Sequence, residues 1–148
     1  MGVDVLSEVV ISRPLHVVAE YAVDPSNAPA WYANIRSVEL RSPPPLRIGS
    51  QMDFVADFLG RRLAYTYEVV DLVPGERFVM RTAQGPFPME TTYEWEALDV
   101  GVTSMRLANR GEPAGFARSA GPFLSRAVRR ANRKDLARLK GILEEPLR

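Results

Sequence analysis

The sequence predicts an α+β fold, a curved antiparallel sheet of about seven strands wrapped on a long C-terminal α-helix, with two short helices after the first strand. Three observations carry this. Apolar residues alternate at period two through most of the chain up to Arg110. Gly and Pro clusters recur at intervals suited to hairpins. From about Pro113 to Glu145 the apolar period becomes that of a helix. The 148 residues, 46% hydrophobic and 25% charged, are enough to bury a core. No repeat or long polar linker divides them, so a single domain over 1–148 is expected.

The elements follow in order. Val5, Val9 and Ile11 make Asp4–Ser12 a strand, and Arg13-Pro14 ends it with proline where a helix begins. A short helix is predicted from Pro14 to about Tyr21. Asp24 is placed to cap a second one, which Pro29 keeps short and which Trp31 and Tyr32 follow. Strands are predicted at Ile35–Arg41, Gln51–Leu59, Arg62–Leu72, Arg77–Ala83, Met89–Ala97 and Val102–Arg110. Pro43-Pro44-Pro45, Gly60, Pro74-Gly75, Gly85-Pro86 and Gly101 separate them. Alternation assigns the faces: Met52, Phe54 and Phe58 oppose Asp53 and Asp57, while Met89, Tyr93 and Trp95 oppose Glu90, Glu94 and Glu96. On the last helix, Phe116, Ala120, Phe123, Ala127 and Ala131 form an apolar stripe opposite Arg118, Arg126, Arg129 and Arg133. Leu136, Leu139 and Leu143 drift from that stripe, and Gly121-Pro122 marks a bend or a late start.

Composition removes several function classes. With no cysteine there is no disulfide, thiolate nucleophile or Cys-ligated metal, and a reducing compartment is the simplest reading. His16 is the only histidine, so no multi-His metal site exists, and its place early in a short helix reads as surface. Neither a signal peptide nor an apolar run of ~20 residues is seen, so no transmembrane segment and a cytoplasmic location are expected. A formal net charge of +1 argues against nucleic-acid binding. That charge is unevenly sorted: residues 118–148 hold 9 basic and 3 acidic side chains, the preceding residues 10 and 15.

The pieces Asp24-Pro25-Ser26-Asn27-Ala28-Pro29-Ala30-Trp31, Ile48-Gly49-Ser50, Glu68-Val69-Val70-Asp71-Leu72-Val73-Pro74-Gly75-Glu76-Arg77-Phe78, Tyr93-Glu94-Trp95 and Gly101-Val102-Thr103 precede the long helix in this order. In that order and spacing, over nearly the whole chain, the sequence resembles the START-like, or Bet v 1-like (SRPBCC), superfamily and within it the bacterial polyketide cyclase/dehydrase-like families. The resemblance implies a helix-grip fold with a deep apolar cavity between sheet and helix. It implies a ligand that is lipid-, sterol- or polyketide-like, with neither metal nor organic cofactor. Members differ in where functional side chains lie, so no catalytic residue transfers.

Candidate ligand-binding residues are Met52, Phe54, Phe58, Tyr65, Tyr67, Met80, Tyr93, Trp95 and Met105 on the inward face of the sheet, with Phe116 and Phe123 from the helix. The same residues could instead fill a solid core. Asn109 shares the parity of Met105, as a ligand contact or a structural hydrogen bond, and Gly85-Pro86-Phe87-Pro88 is placed to edge a mouth. Asp53 and Asp57 read as solvated sheet surface. The expected function is binding of a hydrophobic or aromatic small molecule by a monomer or homodimer. The alternatives are a cyclase/dehydratase-type enzyme using Tyr65, Tyr67, Tyr93 or Asn109, and a lipid-transfer or interaction module acting through the basic helix. In that last reading Arg126, Arg129 and Arg133 offer an anionic surface contact.

Overall fold

The computed structural model describes residues 3–58, 60–85, 88–111 and 121–145. Strand β1 (Val3–Ile11) leads into α1 (Leu15–Val23), a 3₁₀ turn (Pro25–Asn27) and α2 (Ala28–Trp31). Then come β2 (Ile35–Leu40), β3 (Gln51–Phe58), β4 (Arg61–Val73), β5 (Arg77–Gln84), β6 (Met89–Asp99), β7 (Val102–Gly111) and α3 (Gly121–Glu144). The predicted strand bounds hold to within two residues of these. Asp24 caps the 3₁₀ turn through the Ser26 N–H at 2.9 Å.

The strands form one antiparallel sheet in the order β1-β7-β6-β5-β4-β3-β2. Every neighbouring pair except β1 with β7 is consecutive in sequence. Between β4 and β5, Glu76 N–H bonds Val73 O at 2.9 Å, with Pro74 and a positive-φ Gly75 in the central positions. That is a type II turn, which needs a residue free to take positive φ after proline. Register shifts within the β4–β5 and β2–β3 pairings mark the bulges that curve the sheet.

The concave face and α3 enclose the core. Ile11, Trp31, Met52, Val69, Phe78, Met105 and Leu107 are fully buried, and Leu136, Leu139 and Leu143 meet them from α3. Arg138 Nε donates to Ala30 O at 2.6 Å and Lys140 Nζ to Val10 O at 2.7 Å. Ser12 N–H donates to Glu144 Oε2 at 2.6 Å, so the C-terminal half of α3 is tied to both β1 and α2.

One expectation fails here. Phe123 is 60% exposed, while its neighbour Leu124 is buried. The inner face of α3 runs through Leu124, Val128, Asn132, Asp135, Leu136 and Leu139, about 100° from a stripe centred on Phe123 and Ala127. The three leucines near the C-terminus have more apolar surface to bury than the alanines, and they set the rotation. Phe116 lies outside the described residues, as do Pro86 and Phe87 of the hairpin expected at the mouth.

Candidate functional site

Between the concave sheet and α3 lies a cavity of about 170 Å³. Its apolar wall begins with Phe54, Tyr65 and Tyr67, neighbours across β3 and β4 because all three sit on the inward parity. Phe54 and Tyr65 stack with ring centres 5.4 Å apart, and Tyr67 meets both edge-on at 5.3 and 5.1 Å. Met80, Tyr93 and Asn109 line it from β5, β6 and β7, and Leu124, Val128 and Ala131 from α3. Val3, Met89, Arg110 and Gly111 form a rim shared with a groove that carries Asp4, Arg81 and Glu90.

Of the sequence-expected site residues, then, Phe54, Tyr65, Tyr67, Met80, Tyr93 and Asn109 face one space. Met52, Trp95 and Met105 are buried in the packed core beside it. Trp95 packs edge-on to Tyr93, with no hydrogen-bond partner for its indole N–H among the described residues. Phe58 lies on β3, its side chain outside the described set. His16 is exposed, and Asp53 and Asp57 pair with Arg41 and with Arg36 and Arg62 on the outer face.

Two polar clusters interrupt the apolar wall. In the first, Thr91 Oγ1 donates to Asn109 Oδ1 at 2.8 Å, so the Tyr67 hydroxyl, 2.9 Å from Thr91 Oγ1, is the donor to it. In the relay Tyr67 to Thr91 to Asn109, Asn109 accepts a hydrogen bond on Oδ1 and also lines the cavity. Burial pushes the Tyr67 phenol up to about 12, only partly offset by Thr91.

The second cluster joins α2, β6 and α3. Tyr32 and Tyr93 hydroxyls lie 2.5 Å apart, and one hydrogen between them leaves the other O–H available to a further acceptor. Burial holds both phenols well above their ordinary pKa, so both stay neutral donors. Asp135, 3% exposed, accepts the Ala33 N–H on Oδ1 at 3.1 Å. Burial pushes its carboxyl up to about 6, against the opposing pull of that N–H and of Arg138. Asn132, three residues earlier on the same helix face, is 4% exposed and also lines the cavity.

Among the cavity residues that the sequence reading leaves out are Tyr32, Thr91, Asn132 and Asp135, the members of these two clusters. Thr91 has the parity of Tyr93, which period two alone reveals. Asn132 and Asp135 emerge only when the helix stripe is anchored on Leu136 and Leu139. Among the described residues no cluster of three or more His, Cys, Asp or Glu stands in reach of one metal ion. The arrangement is one of an apolar container with two hydrogen-bonding walls and one carboxyl pushed by burial up to about 6.

Comparison with known proteins agrees with this architecture. The family described as polyketide cyclase / dehydrase and lipid transport matches residues 3–144. No curated protein matches the chain. Among solved structures, the Zhui aromatase/cyclase from Streptomyces sp. R1128 superposes with a TM-score of 0.81 at 19% identity, covering 97% of this chain and 94% of that one. A START superfamily protein from Mycobacterium smegmatis gives 0.81 at 16% identity, covering 95% and 97%. Major latex-like protein 151 from Panax ginseng gives 0.77 at 12% identity, covering 97% and 99%. At these identities the superpositions speak to the fold alone, a curved antiparallel sheet gripping a long C-terminal helix. The chain belongs to the polyketide cyclase / dehydrase and lipid transport family.

Proposed function

We propose that the chain binds a hydrophobic or aromatic small molecule in the cavity between the sheet and α3. The cavity itself carries this reading: about 170 Å³, walled by stacked aromatic rings, with many of its polar groups tied up in hydrogen bonds within the wall. A dry apolar cavity of roughly 150 Å³ is enough to take up benzene. One ring with short substituents therefore fits inside, and a longer lipid or fused polyketide extends through the rim at Val3 and Arg110. Native mass spectrometry of protein purified without detergent is the test. A retained or added apolar compound should appear as a stoichiometric adduct. A bare protein mass, unchanged by a panel of lipids and aromatic polyketides, contradicts the reading.

A second reading, a cyclase/dehydratase-type enzyme, is favoured by the Asp135 carboxyl titrating near about 6 beside the Tyr32–Tyr93 pair. An acid of that strength in an apolar cavity suits proton transfer to a bound carbonyl compound, and Asp135→Asn would abolish turnover while leaving ligand binding intact. The location we propose is cytoplasmic. The outer face of α3 offers an anionic surface contact, because Arg126, Arg129, Arg130, Arg133 and Lys134 are exposed and form no ion pair among the described residues.

A further inference from the structure

Most polar groups of the cavity wall are paired with one another. Tyr67, Thr91 and Asn109 form one relay, Tyr32 pairs with Tyr93, and Asp135 accepts the Ala33 N–H. Among the fully buried side-chain N and O atoms of that wall, Asn132 Nδ2 is the exception. Its side chain is 4% exposed and lines the cavity, yet Nδ2 has no hydrogen-bond partner among the described residues. An unpaired buried amide N–H is costly in a packed core, where a leucine of the same branched shape would serve better. Against a ligand cavity the cost is removed whenever the occupant brings an acceptor atom to it. Asp135 lies on the same wall, within one helical turn, and its carboxylate disfavours a negatively charged oxygen there.

Resting on the ligand-binding reading above, we propose that Asn132 donates its side-chain N–H to an acceptor oxygen of a neutral, single-ring ligand of the ketone, ester or phenol class. The ring occupies the aromatic part of the cavity against Phe54, Tyr65 and Tyr67, and the oxygen turns toward α3. Cavity volume sets the size of the ligand and the helix wall sets its polarity.

Three probes of equal ring size test this: acetophenone, its hydrocarbon counterpart cumene, and benzoate. Each is titrated calorimetrically near pH 8 into wild-type protein and Asn132→Leu, and side-chain amide spectra of ¹⁵N-labelled wild type are recorded alongside. Acetophenone and cumene should both bind wild type, and benzoate should bind more weakly than acetophenone. In Asn132→Leu the ratio of acetophenone to cumene affinity should fall about tenfold, because only acetophenone loses a partner. The Asn132 amide protons should move farther downfield with acetophenone than with cumene, whose ring contributes only its ring current, a readout that holds even if the variant fails to fold. A ratio unchanged within about twofold, an amide signal indifferent to acetophenone, or benzoate as the tightest probe overturns the proposal. Failure of acetophenone and cumene alike to bind wild type overturns the ligand-binding reading itself.

Discussion

Asp135 is the residue whose chemistry is most altered by its position. Its carboxyl titrates at about 6, above the ordinary 3.8, because it is buried on the cavity wall. Below about pH 4 the proton is bound in both folded and unfolded chains. Between there and about 6 the folded protein retains a proton that the unfolded chain has released, so stability falls as pH rises through this window and then levels. Asp135→Asn keeps an acceptor for the Ala33 N–H and removes the ionisation. Denaturant unfolding should show the variant equal to wild type near pH 4 and more stable near pH 8 by about 2 kcal/mol. A second residue-level test concerns the relay. Thr91→Val keeps the shape but strands the Tyr67 hydroxyl and Asn109 Oδ1, and should cost about 1–3 kcal/mol by the same measurement.

At the scale of elements, α3 decides what the cavity contains. Its 24 residues put Leu136, Leu139 and Leu143 into the core and Asn132 and Asp135 at the cavity, while Phe123 stands in solvent. Leu136→Ala should therefore cost about 2–5 kcal/mol of unfolding free energy, and Phe123→Ser less than about 0.5. Equal costs would mean that the helix is rotated. The strands were far more legible than this helix. Period-two alternation admits only two faces, so Phe54, Tyr65, Tyr67, Met80, Tyr93 and Asn109 could be put on the inner one from parity alone. A helix offers a continuous choice of rotation, and a stripe of small apolar residues with one phenylalanine competes with a stripe of leucines. Choosing the first hides Asn132 and Asp135. Tyr32 was hidden for another reason: its hydroxyl reaches Tyr93 across 61 positions of sequence, a pairing that no local pattern encodes.

For the whole molecule, the charge that sums to +1 is arranged by surface. The outer face of the sheet neutralises itself through pairs such as Arg41 with Asp53, Arg77 with Asp71 and Arg81 with Glu90. These pairs are largely exposed and add little stability. On α3, Arg126, Arg129, Arg130, Arg133 and Lys134 have no such neutralisation among the described residues. The double variant Arg129→Glu, Arg133→Glu should leave the thermal midpoint nearly unchanged, as both side chains are exposed, and should abolish co-sedimentation with phosphatidylglycerol vesicles at low salt. Equal sedimentation of variant and wild type would remove the helix surface from the account. The inner face remains the centre of it: an aromatic container with a carboxyl and an amide on its helical wall. The most direct measurement is a crystal structure of the protein soaked with acetophenone. The account predicts a ring held among Phe54, Tyr65 and Tyr67 with its oxygen within hydrogen-bond distance of Asn132 Nδ2, and a cavity collapsed around its own side chains, with no ligand between sheet and α3, would contradict it.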